Sequence, residues 1–333
     1  MTRAPAPLRP DSGRVRRRGA VLLVAPAAFV VPYLIPLPRT PDRSAADVAG
    51  GLGLGGRLVR ALGSGIWVVE AGPVDGEPVV LIHGFGGSTW SWRKTLPELA
   101  RAGHRAVALD LANFGLSDKG WHLDTGHAAQ ADLVAAVMDA LGMGQATLVG
   151  HSMGGNVLTW FAARHPRRLT RAVLVDALTG PADRRRAVGA ATLLRLPPAR
   201  RIARLILRSQ LRDRRLGAFL RSAYADPAGV AADTVAGYAA PLQTVDWDLG
   251  LLAIVRDAGR SRLSAPIGDI LRVPTAIIWG RADRWVPLTA GESLRAALPD
   301  AEWHIIDDAG HLPMEEQPAA FNDILLRWLE RTR

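Results

Sequence analysis

The chain of 333 residues is predicted to be an α/β protein with a doubly wound, mostly parallel sheet and a helical insertion near its middle. Three observations predict this. Short apolar runs recur at 66–69, 79–82, 106–109, 146–149, 172–175, 275–279 and 303–306, and strands apolar on both faces belong to a sheet covered on both sides. Helical patterns separate several of them. Leu133, Val134, Val137, Met138 and Leu141 share one helical face, with Gly142 as a stop, and strand–helix alternation yields parallel strands. The alternation fails between Leu178 and Leu271, where about ninety residues rich in Arg, Leu and Ala replace it.

Taken in order, residues 1–18 are basic and proline-containing and read as a disordered tail. Residues 19–38, GAVLLVAPAAFVVPYLIPLP, carry no charge and are long enough to cross a bilayer as a helix. Arg16, Arg17 and Arg18 precede them, which by the positive-inside rule leaves the rest of the chain outside the cytoplasm. The expectation is a single-pass membrane anchor, or else a signal segment that is cleaved to release a secreted protein. Residues 39–65, with their glycine cluster, read as a linker. The run from Gly51 to Gly56 imitates a dinucleotide loop, but no strand precedes it and no helix follows. The α/β core is expected at 66–178 and 271–333, and the helices of 179–270 are expected to lie over the sheet's C-terminal edge as a lid.

Composition closes off several chemistries. Cysteine is absent, which removes disulfides, thiolate zinc sites and a cysteine nucleophile. The net charge of +10 is concentrated rather than spread. Between Pro181 and Arg221 stand twelve arginines against Asp183 and Asp213. No recognition motif accompanies them, so a nucleic-acid partner is not expected. They read as the solvated face of helices, or as a basic surface against anionic lipid headgroups.

The most informative stretch is Gly150-His151-Ser152-Met153-Gly154, Gly-x-Ser-x-Gly between a strand and a helix. A serine raised on so sharp a turn needs glycine two positions to either side, and the helix that follows aims its N–H groups at any anion formed beside it. Such a hydroxyl needs an imidazole base. Of eight histidines, His83 and His151 flank glycine turns and read as architectural, while His104, His122, His127, His165 and His304 need no role beyond surface or core. His311 follows the last strand-like run, at the edge where open α/β sheets hold ligands. The imidazole in turn needs a carboxylate. Asp283, after the 275–279 strand, leads, and Asp176, after 172–175, is the alternative. The turn His83–Ser88 can supply the Phe85 N–H to an oxyanion, with the Met153 N–H as second donor.

From about Gly65 onward these segments resemble the α/β-hydrolase fold superfamily. The resemblance rests on HGFGGSTWSWR at 83–93, the loop from Asp110 to Asp118, GHSMGG at 150–155, GRADRWVP at 280–287 and GHLPMEEQP at 310–318, in the order Ser, Asp, His. It implies Ser152 as nucleophile, Asp283 as acid, His311 as base, the Phe85 and Met153 amides as oxyanion hole, a lid, and neither cofactor nor metal. The chain departs from the pattern at Ala112 and Asn113, where relatives usually have Pro-Gly; asparagine tolerates the left-handed turn. Serine rather than aspartate at the elbow argues against dehalogenase and epoxide-hydrolase chemistry. The expected activity is hydrolysis of carboxylic esters, with a small-molecule or lipidic substrate. The alternatives are a carbon–carbon bond hydrolase of diketone-type substrates and a catalytically silent binding protein. Oligomeric state is not legible.

Overall fold

The computed structural model describes residues 30–332 apart from 54, 178–188, 190, 212, 259–262 and 264. The expected tail at 1–18, the first eleven residues of the 19–38 segment and the start of the expected lid lie outside these residues. Eight strands form one sheet in the order β1-β2-β4-β3-β5-β6-β7-β8. They are β1 (Arg57–Ala61), β2 (Ser64–Ala71), β3 (Pro78–Ile82), β4 (Arg105–Leu109), β5 (Ala146–His151), β6 (Leu169–Val175), β7 (Thr275–Gly280) and β8 (Glu302–Ile306). The β1–β2 and β2–β4 pairs are antiparallel and the other pairs parallel. Each apolar run read as a strand lies within one of these, because a chain apolar on both faces can only sit between two helical layers.

Alternation along each strand divides the core. Val80 and Ile82 face one layer with Leu148, Val157, Phe161 and Trp279. Val79 and Leu81 face the other with Trp92, Phe321, Leu325 and Trp328. Helices α3 (His127–Ala140), α4 (Met153–Arg164) and α10 (Leu288–Ala297) contribute to the first layer; α2 (Leu96–Arg101) and α11 (Pro318–Arg331) to the second. Every residue of β5 is buried, and each full burial of a large aliphatic side chain stabilises by roughly 1.5–3 kcal/mol.

The expected linker at 39–65 is instead ordered structure. It forms helix α1 (Ala45–Gly51), capped by the Ser44 hydroxyl on the Asp47 N–H, and then the edge strand β1. Val59 and Ala61 alternate inward and pin β1 to β2. Glycine density masked this two-residue alternation in so short a strand.

Between β6 and β7 lie α5 (Pro197–Gln210), α6 (Asp213–Ala223), α7 (Ala232–Ala239), α8 (Trp247–Asp257) and α9 (Ile267–Ile270). The arginines of α5 do not form a solvated face. Arg204 and Arg208 both bind the fully buried Asp248 of α8, at 2.8 and 2.7 Å. Burial would raise the Asp248 pKa, but the bonds from the two guanidinium groups override it and hold the carboxyl below its usual range. Arg200 stacks over Trp121, and Arg201 donates to the Pro32 and Ile35 carbonyls. The aliphatic side points outward: Ile202 and Ile206 are 45% and 55% exposed, beside a 30–35 segment that exposes Val31, Leu34 and Ile35. Among the described residues no helix is long and apolar enough to cross a membrane.

Candidate active site

Five parallel strands, β3, β5, β6, β7 and β8, end at one edge of the sheet, and the segment that follows each carries one of Phe85, Ser152, Asp176, Asp283 and His311. Ser152 follows β5 with φ 50° and ψ −116°, as the N-cap of α4. The glycine spacing has the anticipated cause. A Cβ on Gly150 would stand 2.5 Å from the Gly154 carbonyl oxygen, and one on Gly154 would stand 2.5 Å from that of Ile82. No side chain fits at either place without moving backbone, so glycine there lets β3, the elbow and α4 close on one another.

His311 is brought from the loop after β8. Its Nε2 lies 3.0 Å from Ser152 Oγ and its Nδ1 2.7 Å from Asp283 Oδ2. A carboxylate only accepts, so Nδ1 carries the proton and Nε2 is left to accept from the serine hydroxyl. The other Asp283 oxygen accepts from the Trp285 and Val286 N–H groups at 2.7 and 2.9 Å. Three donors therefore converge on one buried carboxylate and fix its orientation.

Asp176, the alternative acid, is close but serves differently. It follows β6 at φ 42°, is fully buried and accepts the Gly280 N–H at 2.9 Å. Its other oxygen has no hydrogen-bond partner among the described residues. Burial, and then the charge of Asp283, push its pKa well above the carboxylate range. It stands behind Asp283 and does not touch His311 within hydrogen-bond distance. Asp176, Asp283 and His311 also form a triple close enough in principle to hold a metal ion. The hydrogen bonds that occupy Asp283 and His311 account for it without one.

Two other histidines shape the turn. His83 donates from Nδ1 to the Gly84 carbonyl at 2.7 Å and accepts the Leu111 N–H at Nε2, and burial lowers its pKa. His151 donates from Nε2 to the His311 carbonyl at 2.7 Å. Burial first, and the neighbouring His311 next, hold His151 well below its ordinary pKa. The β3 loop passes so close to the elbow that a Cβ on Gly84 would lie 2.9 Å from Ser152 Cβ, which sets Phe85 beside Ser152.

The sequence reading missed the residues that fasten the insertion to this edge. The Glu315 carboxylate, buried, accepts from Tyr238 at 2.5 Å, Arg93 at 2.8 Å and Tyr224 at 3.2 Å. Its neighbour Glu316 accepts from the Ala225, Gly310 and Leu312 N–H groups, and the His311 N–H donates to Ala223. Two adjacent acids inside a helical start were the available signal, since such residues are rarely buried without partners.

A small cavity at His151, His311 and Gly84 shares Phe85, Gly86, Gly87, Leu216, Phe219 and Tyr238 with a larger one of about 270 Å³. The larger cavity runs beneath the insertion and is walled mainly by Phe114, Leu242, Trp247, Leu251 and Ile254.

Known proteins resemble the chain over most of its length. An uncharacterised protein of Mycobacterium tuberculosis is 29% identical over 280 residues, 78% of this chain and 76% of that one. A 2-hydroxy-6-oxononadienedioate/2-hydroxy-6-oxononatrienedioate hydrolase of Burkholderia vietnamiensis is 28% identical over 270 residues, 77% and 88% of the two chains. Among solved structures, a bacterial membrane phospholipase A superposes with a TM-score of 0.67 at 25% identity, over 96% of this chain and 99% of that one. The family defined by the α/β hydrolase fold matches residues 77–318, the span from β3 past His311, and the chain belongs to that family.

Proposed function

We propose that the chain is a serine hydrolase in which Ser152 attacks an acyl carbonyl, His311 moves the proton, Asp283 holds the imidazole, and the Phe85 and Met153 amides bind the oxyanion. The observation that carries the reading is the unbroken line Ser152 Oγ–His311–Asp283 at 3.0 and 2.7 Å, all three residues buried beside a cavity. His311 accepts the hydroxyl proton as the Ser152 oxygen bonds to the carbonyl carbon, and the imidazolium formed is stabilised by Asp283. Collapse of the tetrahedral adduct expels the leaving group, which takes that proton from His311. Water, deprotonated by His311, then releases the acid and restores the serine. A catalytically silent role has nothing in its favour, since no member of this line is displaced.

The bond cleaved is the finer question. The similarity to the Burkholderia enzyme favours carbon–carbon hydrolysis of a diketone-type acid, ahead of the carboxylic-ester reading that the sequence alone led us to prefer. In that reaction the departing carbon must leave as a dienolate, and His311 protonates it. The ester reading keeps two supports: the apolar walls of the larger cavity and the likeness to a membrane phospholipase A. Purified protein should bleach 2-hydroxy-6-oxo-6-phenylhexa-2,4-dienoate with a higher kcat/KM than it releases p-nitrophenol from butyrate or decanoate esters. Ester turnover with no loss of the dienoate absorbance would reverse the order of the two readings.

The same reading extends to location. The outward aliphatic side of α5 and the exposed 30–35 segment continue the uncharged stretch that begins at Gly19. Together they would lie on or in a bilayer with the catalytic domain outside the cytoplasm, or, if 19–38 is removed, on the outer surface of a secreted protein. Full-length protein should float with phosphatidylglycerol-containing vesicles, and Ile202→Asp with Ile206→Asp should reduce the floating fraction. Recovery of the full-length protein wholly in the dense fractions would count against membrane association.

A further inference from the structure

The larger cavity is apolar on most of its walls, yet two of the residues that line it each bury a side-chain N–H with no partner among the described residues. Asn113, 3% exposed, accepts the Gly120 N–H at Oδ1 at 2.7 Å. That bond fixes which end of the amide is oxygen, and the Nδ2 end is buried with no partner among the described residues. Trp247, 5% exposed, lines the same cavity, and its Nε1–H is likewise unpartnered. Lys119 lines it as well. Its ammonium donates to the Gly115 and Ser117 carbonyls at 2.6 and 3.0 Å, and a third N–H remains. Among the described residues no side-chain oxygen on this wall is left without a donor. The imbalance has one sign: donors without acceptors.

Buried polar groups are nearly always satisfied, and an orphan calls for an explanation. The bond from the Gly120 N–H needs only the Oδ1 end, which an aspartate would supply as well. The turn at Asn113 has φ 69°, which glycine would adopt with less strain. On α8, Gly250 is bare where a Cβ would come within 3.1 Å of Asn113 Oδ1, so the helix approaches close enough to hold this side chain in place. Asparagine at the position where the resemblance predicted glycine thus adds an amide to an otherwise greasy chamber.

We propose that Asn113 and Trp247, with Lys119, form a polar subsite that recognises an acceptor oxygen, a carbonyl or carboxylate, on the part of the substrate remote from the bond cleaved. The subsite rests on the hydrolase reading above and adds a substrate class to it: molecules apolar along their middle with an oxygen at the far end. It would discriminate by leaving its donors unpaired when that oxygen is missing, the arrangement that gives binding sites their sharpest selectivity.

The test uses full-length protein and the competitive inhibition of p-nitrophenyl acetate hydrolysis by three matched ligands: butylbenzene, 4-phenylbutan-2-one and 4-phenylbutanoate. In the wild type at least one oxygen-bearing ligand should inhibit about tenfold or more tightly than the hydrocarbon. Asn113→Asp keeps the acceptor for the Gly120 N–H and replaces the free donor with an oxygen; Trp247→Phe keeps the ring and deletes the N–H. Each should shrink the ratio, and Asn113→Asp should weaken the carboxylate most. Tighter inhibition by the acid than the ketone marks a carboxylate end, and the reverse a neutral carbonyl. Ratios that are near one in the wild type, or unchanged in both variants, would mean that the donors serve water and would overturn the subsite. Absence of p-nitrophenyl acetate turnover together with absence of Ser152 labelling by a fluorophosphonate would instead refute the hydrolase reading itself.

Discussion

Ser152→Ala should lower kcat on any substrate the protein turns over by roughly 10⁶-fold, with no loss of fold. The hydroxyl alone is removed, and it lies 3.0 Å from the Nε2 of His311, which lines the smaller cavity. The remainder of the elbow is held by backbone: the Ser152 N–H donates to the Val175 carbonyl and the Gly155 N–H to that of Ser152. A fluorophosphonate probe should label the wild type at this residue and leave the variant unlabelled. Retained labelling in the variant would place the nucleophile elsewhere. His311→Ala should fall to a comparable rate, because nucleophile and base act as a unit and their losses do not add.

Asp283→Asn should reduce kcat by about 10⁴-fold. The amide can keep its acceptor toward the Trp285 and Val286 N–H groups only by turning its NH₂ toward His311, which then meets a donor where it needs an acceptor. The imidazole is left in the wrong tautomer. Asp176→Asn, one strand away, should cost less than about tenfold, because Asp176 makes no hydrogen bond to His311 and its own bond to the Gly280 N–H survives in the amide. The stability of that variant supplies an independent check. A carboxyl whose pKa rises on folding keeps its proton in the native state while the unfolded chain loses it above about pH 4. Native stability therefore falls as pH increases through that range, and the asparagine variant escapes the fall. Its melting temperature should exceed that of the wild type at pH 8, with the gain shrinking toward pH 4. An Asp176→Asn enzyme as inactive as Asp283→Asn would show that the two carboxyls share the catalytic charge.

Much of this architecture was legible because it follows from local rules. Seven apolar runs marked seven of the eight strands, and the elbow, the turn after β3 and the loops carrying Asp283 and His311 each sit directly behind one. β1 escaped, since five residues with alternate burial and a glycine-rich approach carry little signal. The orientation of α5 escaped for another reason. A helix with arginine on one side and isoleucine on the other is equally amphipathic whichever side faces inward, and the choice is made by Asp248, more than forty positions after Arg204. The partners of Glu315 come from 77, 91 and 222 positions away. No periodicity announces such meetings, and the unpartnered donors of Asn113 and Trp247 are visible only once a cavity exists for them to line.

The fastening at Glu315 and Glu316 also bears on how the chain could be altered. The insertion is tied to the His311 loop at Ala223 to Ala225 and at Tyr238, whereas α5 and the start of α6 make none of these bonds. Exchange of the whole segment between β6 and β7 with that of a relative would remove the bonds that seat the His311 loop, and on the proposed mechanism a hybrid built at those junctions would lose its rate along with its selectivity. A graft confined to residues ahead of Ala223 would spare the seat. Within this protein, then, the part of the insertion free to diversify is the part that comes first in the chain, because changes there leave the bonds that seat the His311 loop intact.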